Sequence, residues 1–121
     1  MILASGKNGY RLSGSDIVHS PLSAELVTIS SCNGAGSRSY TGEGPVGLAW
    51  AFLGAGAHRV VAAQWQVDDR IAPAMMDDMY GAIARGAEPA EALRAAKLNL
   101  VHSHDARNQP VYWAPFVLYG E

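Results

Sequence analysis

Residues 44 to 65 read "GPVGLAWAFLGAGAHRVVAAQW", and two elements are packed into this one stretch. Pro45 suits the first position of a helix, where its fixed φ and missing N–H cost nothing. From Pro45 to Ala55 the residues are apolar almost all round, which predicts a helix that is buried rather than half exposed. Gly54 and Gly56 are available to end it. Arg59 to Trp65, "RVVAAQW", then reads as a strand of the kind covered on both faces.

Upstream, Leu26 to Ser30, "LVTIS", is a second short apolar run, with β-favouring Val27 and Ile29. Two such strands joined through a helix form a right-handed βαβ unit. Downstream the period changes. Ile71, Met75, Met79 and Ile83 fall three or four apart while Asp77, Asp78 and Arg85 fall elsewhere, so an amphipathic helix is expected. Another begins at Pro89, with Leu93, Ala96 and Leu100 facing inward and Glu91 in its electropositive first turn. The polar stretch "HSHDARNQP" ends it, and "FVLY" at 116 to 119 reads as a last strand. "MILAS" at the start is a short strand candidate. No internal repeat or low-complexity linker interrupts the chain. The architecture expected is α/β with a mostly parallel sheet.

At 121 residues, 49% hydrophobic and 17% charged, the chain has the length and composition of one globular domain. A formal charge of -2 argues against binding a phosphate backbone, so nucleic acid is not an expected partner. "PVGLAWAFLGAGA", Pro45 to Ala57, is too short to span a bilayer, and no signal-like segment opens the chain. A single cysteine forms no intrachain disulfide, which fits a reducing compartment and a cytoplasmic location.

That cysteine, Cys32, sits in "SSCNGAG" just past the first strand. In open α/β sheets, sites form beyond the carboxyl ends of the strands, and both Cys32 and "WQVDD" at 65 to 69 follow such ends. A thiol there is a candidate nucleophile, to be weighed against an unreactive buried cysteine. Such a nucleophile needs a histidine. His19 precedes the Cys32 strand in a turn-like connection, His58 begins the next strand at its amino end, and His102 and His104 lie in a polar loop. All four read as surface or loop residues. "HSHD" lacks a fourth ligand for a metal site, and "GAGSRSYTGEG" lacks the Lys-Ser/Thr of a phosphate loop, so no metal or cofactor is expected. Asp68 and Asp69 suit the start of the next helix as caps. Met75, Met76 and Met79 read as core, and Trp113 as packing near the last strand.

Taken in order, "LVTISSCNGAG", "GEGPVGLAWAFLGAGAHRVVAAQWQVDD", "MYGAIARGAEPAEALRAAKLNL" and "YWAPFVLYG" resemble the C-terminal part of a CHAT domain. This is the bacterial caspase-like, separase-like peptidase domain often attached to tetratricopeptide repeats. The resemblance covers residues 1–121 as part of a single domain. It implies the caspase–hemoglobinase fold, a three-layer α/β sandwich with a mostly parallel sheet, here truncated at the N-terminus. It also implies a Cys–His dyad that cleaves peptide bonds, with Cys32 as nucleophile, a protein or peptide substrate, and a tetratricopeptide-repeat region elsewhere in the full protein. In that family the histidine stands in a His-Gly turn upstream of the nucleophile. No His-Gly pair occurs here, so the chain is expected to carry the nucleophile half and lack the base half. The alternative is a non-catalytic interaction or scaffold module. In separase-like relatives an aspartate four residues after a tryptophan receives the substrate's basic side chain. That spacing from Trp65 lands on Asp69, with Asp68 its rival.

Overall fold

The computed structural model describes residues 2–4, 10–29 and 45–121, with side chains from 12–29 and 46–121. Cys32, and the end of the predicted first strand at Ser30, lie outside the described residues. In chain order the elements are β1 (Ile2–Ala4), β2 (Tyr10–Arg11), α1 (Gly14–Val18), β3 (Ala24–Ile29), α2 (Pro45–Ala55), β4 (Ala57–Ala63), α3 (Ala72–Ala84), α4 (Pro89–Val101), α5 (Pro110–Trp113) and β5 (Phe116–Gly120). A single 3₁₀ turn, Ala106–Asn108, lies between α4 and α5.

β3, β4 and β5 form one sheet in that order. β3 runs parallel to β4, with Leu26 opposite Arg59 and Ile29 opposite Ala62, as the two apolar runs and the intervening helix require. β5 returns antiparallel to β4, with Phe116 opposite Ala63. Of the two pairings in this sheet, then, one is parallel. β1 pairs with β2 as a separate antiparallel ribbon.

β4 is the centre of the molecule, and its period of two decides the layers. Val60 and Ala62 face α2, where Ala49 and Ile29 close the contact. Val61 and Ala63 face the opposite way, into a cluster with Met75, Met79, Leu93, Ala96, Leu100 and Phe116 from α3, α4 and β5. Helices thus cover both faces of the sheet, which is why β4 is apolar without alternation. The strand spans 57–63 rather than the expected 59–65. Gln64 still donates its backbone N–H to the Pro115 carbonyl at 2.9 Å, but Trp65 is 41% exposed.

The turn between α2 and β4 is made possible by Gly56, whose φ is +112°. The backbone of residue 22 passes against it, and Leu22 donates its N–H to the Ala55 carbonyl at 2.7 Å. A Cβ at position 56 would overlap the Leu22 carbonyl oxygen. The segment holding His19, expected as a turn, instead contains the short helix α1. Ser13 and Asp16 form a reciprocal capping box: the Ser13 hydroxyl accepts from the Asp16 N–H at 3.2 Å, and the Asp16 carboxylate accepts from the Ser13 N–H at 2.9 Å. Ile17 of α1 is buried against Ala51 and Ala55 of α2.

α3 and α4 form as their spacing predicts, with Met75 and Met79 buried in one and Leu93, Ala96 and Leu100 in the other. The Tyr80 hydroxyl on α3 donates to Thr28 Oγ1 on β3, tying helix to sheet. Trp113 packs against the α3–α4 core cluster as expected, and its indole N–H donates to the Asn108 carbonyl at 3.0 Å. Among the described residues no helix is long and apolar enough to cross a membrane.

Candidate active site

Because β3 and β4 are parallel and in register, their carboxyl ends open onto one rim of the sheet. In the chain, Cys32 follows the end of β3 by three residues, and the segment from Trp65 to Arg70 follows the end of β4. β5 starts on the same rim. The Trp65 indole N–H donates to the Val111 carbonyl at 3.3 Å, which links the segment after β4 to α5.

The two aspartates after "WQV" are not equivalent. Asp68 is committed within the chain. Its carboxylate accepts from the Arg70 backbone N–H at 2.9 Å and from the Arg70 guanidinium at 3.0 and 2.8 Å, a bidentate pair closing an Asx-type turn. The Arg70 side chain, then its backbone N–H, lower the Asp68 pKa from 3.8 to about 2. The Asp68 carbonyl also accepts from the Ile71 and Ala72 N–H groups at 3.0 and 3.1 Å. Asp69 is exposed and has no hydrogen-bond or ion-pair partner among the described residues. The expected capping role falls to neither side chain: the residue at the α3 N-cap is Ile71, with no side-chain cap, and Pro73 stands in the first turn.

The same turn occurs a second time nearby. Asp105 accepts from the Arg107 N–H at 2.9 Å and pairs with its guanidinium at 2.7 Å, and its pKa is likewise lowered to about 2, by the Arg107 side chain and then its backbone N–H. Arg70, Ile71, Asp105, Arg107 and Tyr112 line one open cavity of about 340 Å³. Loop 102–109 therefore comes back to the rim that follows β4, because α3 leads away from it and α4 returns. His102 and His104, which precede Asp105 in the chain by three residues and one, are exposed in this loop, as expected of loop residues. The recurrence of Asp-X-Arg at 68–70 and 105–107 was the available signal, since a short acid accepting its own i+2 amide is a common turn device.

The other histidines lie away from this rim. His58 Nδ1 is 3.3 Å from Glu25 Oε2 at the opposite end of the sheet, where Ala24 pairs with Ala57. His19 follows α1 and hydrogen-bonds through Nδ1 with the Ser15 carbonyl at 2.7 Å. Among the described residues no three His, Cys, Asp or Glu side chains group closely enough to hold a metal ion.

Comparison with known proteins gives this arrangement a context. The model of the CHAT domain family matches residues 1–121. The mouse protein named tetratricopeptide repeat protein 28 is 34% identical over 109 residues, and its human counterpart 30% over the same length. Each alignment takes in 90% of this chain, which spans about 4% of the length of either relative. Both relatives are mammalian, so they lend nothing to the bacterial source implied by the resemblance. A match that runs the whole length of the sequence, over the strands and helices that build the rim, makes the chain a member of the CHAT domain family.

Proposed function

We propose that this chain forms the nucleophile-bearing part of a caspase-like cysteine endopeptidase domain that cleaves after basic residues, arginine before lysine. The observation that carries the reading is the division of labour between the two rim aspartates. Asp68 is neutralised by Arg70 at 2.8 Å, whereas Asp69 is exposed and unpartnered among the described residues, in the segment that follows β4 at the end of the sheet where β3 also ends. A free carboxylate beside a nucleophile accepts a guanidinium bidentately and repels an acidic side chain.

In this scheme Cys32 Sγ attacks the scissile carbonyl and forms a thioester as the peptide C–N bond breaks. A histidine from outside these 121 residues takes the thiol proton and passes it to the leaving amine. Water then attacks the thioester, the histidine taking a proton from it, and the acid product leaves as the thiol is regenerated. The Cys32 backbone N–H is one donor to the oxyanion. The substrate is a protein or peptide, no cofactor takes part, and tetratricopeptide repeats are the associated region, in keeping with the names of the relatives. A cytoplasmic setting suits a lone reactive thiol. A mixed α/β sheet covered on both faces by helices is compatible with the caspase–hemoglobinase sandwich that this reading assigns to the domain.

A second reading, a non-catalytic interaction module, draws on the relatives' names, which denote repeats and no chemistry. One experiment separates the two. The protein bearing this chain, with its upstream sequence, is offered matched peptides whose last residue, Arg, Lys, Asp or Leu, is joined through an amide to a fluorogenic amine, as wild type, Cys32→Ser and Asp69→Ala. Cleavage after arginine that is lost in Cys32→Ser, and whose arginine preference falls about tenfold or more in Asp69→Ala, is the expected outcome. Intact peptides throughout, with a Cys32 thiol alkylated only after denaturation, would leave the interaction module standing. A strong arginine preference untouched in Asp69→Ala would remove Asp69 as selector while sparing Cys32.

A further inference from the structure

α4 carries more apolar surface than its core position needs. Leu93, Ala96 and Leu100 are buried toward α3 and the sheet. Leu98 and Val101 fall on a flank of the helix, only partly buried and outside the core clusters. Across from them stand Trp113 and Leu118, whose other surfaces pack on the core. Together these residues line an open groove of about 440 Å³, within the roughly 300–1,000 Å³ of ligand clefts.

Two cations, Arg94 and Lys97, also line the groove. They are three residues apart on α4 and so stand side by side. Neither has a hydrogen-bond or ion-pair partner among the described residues. Lys97 is partly buried, and that burial pulls its pKa below the ordinary lysine value, with no carboxylate among the described residues paired to it. A half-desolvated ammonium without a counter-ion is unfavourable unless a carboxylate arrives with a ligand. By contrast, Arg59, Arg70 and Arg107 all have acidic partners within the chain.

We infer that this groove is a docking site for an amphipathic peptide helix carrying leucine-type side chains on one face and glutamates one turn apart beside them. The apolar residues enter between α4 and the Trp113–Leu118 wall, and the glutamates pair with Arg94 and Lys97. The spacing of the two cations matches carboxylates three or four residues apart on a helix, which favours a helical occupant over an extended strand. The groove does not include Asp69, and the inference does not depend on the peptidase reading.

The test uses the 121-residue chain and two fluorescein-labelled, amidated 18-residue helical peptides of Leu and Ala, identical except that one carries Glu where the other carries Lys. The chain's net charge is -2, so non-specific attraction favours the lysine peptide, and a preference for the glutamate peptide is diagnostic. Anisotropy is expected to show the glutamate peptide bound at least tenfold more tightly. Arg94→Glu/Lys97→Glu should reverse that order, and Lys97→Met, which keeps the groove apolar, should weaken the glutamate peptide without strengthening the other. Circular dichroism melts confirm that each variant is folded. Equal binding of both peptides, absence of binding to folded wild type, or a preference that survives the double charge reversal overturns the inference. So does a dimer in sedimentation that Lys97→Glu abolishes, since the groove would then belong to a second copy of the chain.

Discussion

Gly56→Ala offers the sharpest test of the packing between α2, β4 and the segment before β3. Gly56 and Gly86 both have positive φ, +112° and +96°, so alanine is strained at either position. The left-handed region costs an L-residue roughly 1–2 kcal/mol, partly offset by about 0.4–1 kcal/mol from a less flexible unfolded chain. At Gly86 nothing lies within 4 Å of a Cβ, so the net penalty there is about 1 kcal/mol. At Gly56 the Cβ overlaps the Leu22 carbonyl oxygen, and backbone cannot swing aside as a side chain can. The two segments must separate. That strains the 2.7 Å hydrogen bond from Leu22 to Ala55, worth about 0.5–1.5 kcal/mol, and opens packing at a further cost of about 1–3 kcal/mol. Gly56→Ala is therefore expected to cost roughly 3–5 kcal/mol against about 1 for Gly86→Ala. In urea titrations of the two variants this appears as a large drop in midpoint for the first and a small one for the second, with unchanged slopes. In thermal melts, at about 4 °C per kcal/mol for a chain of this size, the shifts are on the order of 12–20 °C and about 4 °C. Two penalties within about 1 kcal/mol of each other would refute the reasoning, because the close approach at Leu22 alone separates the two sites.

Arg70→Ala should return the Asp68 carboxyl from about 2 toward its ordinary value near 3.8, followed by carboxyl-carbon NMR through an acid titration. The folded value lies below the unfolded one, so this contribution is present above roughly pH 4 and lost as the pH falls through about 2; the variant's stability should fall less steeply across that window. Phe116 is wholly buried where β5 meets the α3–α4 core, so Phe116→Ala should cost about 3–5 kcal/mol in urea unfolding, and Leu118→Ala, at the partly open groove wall, less than half as much.

Local chemistry determined much of this protein from the sequence. The apolar stretch after Pro45 announced a helix, but not a fully buried one: Ala49, Ala51 and Ala55 are covered while Val46 and Trp50 are 45% and 65% exposed, because the sheet and α1 cover only one side of it among the described residues. The change of period after Ile71 announced α3, and Pro89 with Leu93, Ala96 and Leu100 announced α4, because side-chain periodicity reports which faces are covered. The Ser13–Asp16 capping box is a contact only three residues long, yet the segment was expected as a turn, and α1 emerged only with the structure that buries Ile17 against α2. The order of four separated motifs was enough to bring the family into view before any coordinates. What required tertiary structure is whatever joins residues distant in the chain. β4 stops at Ala63, opposite Phe116, the first residue of β5, rather than at Trp65, and no local propensity encodes where a paired strand begins. Asp68 and Asp69 are the same residue type side by side, and only the placement of Arg70 makes one occupied and the other available. Loop 102–109 reaches the rim because α3 and α4 pack as an antiparallel pair, and the α4 groove exists because Trp113 and Leu118 come to face Leu98 and Val101. Periodicity states that a face is apolar; which partner covers it, and which part is left open, is decided by the whole fold.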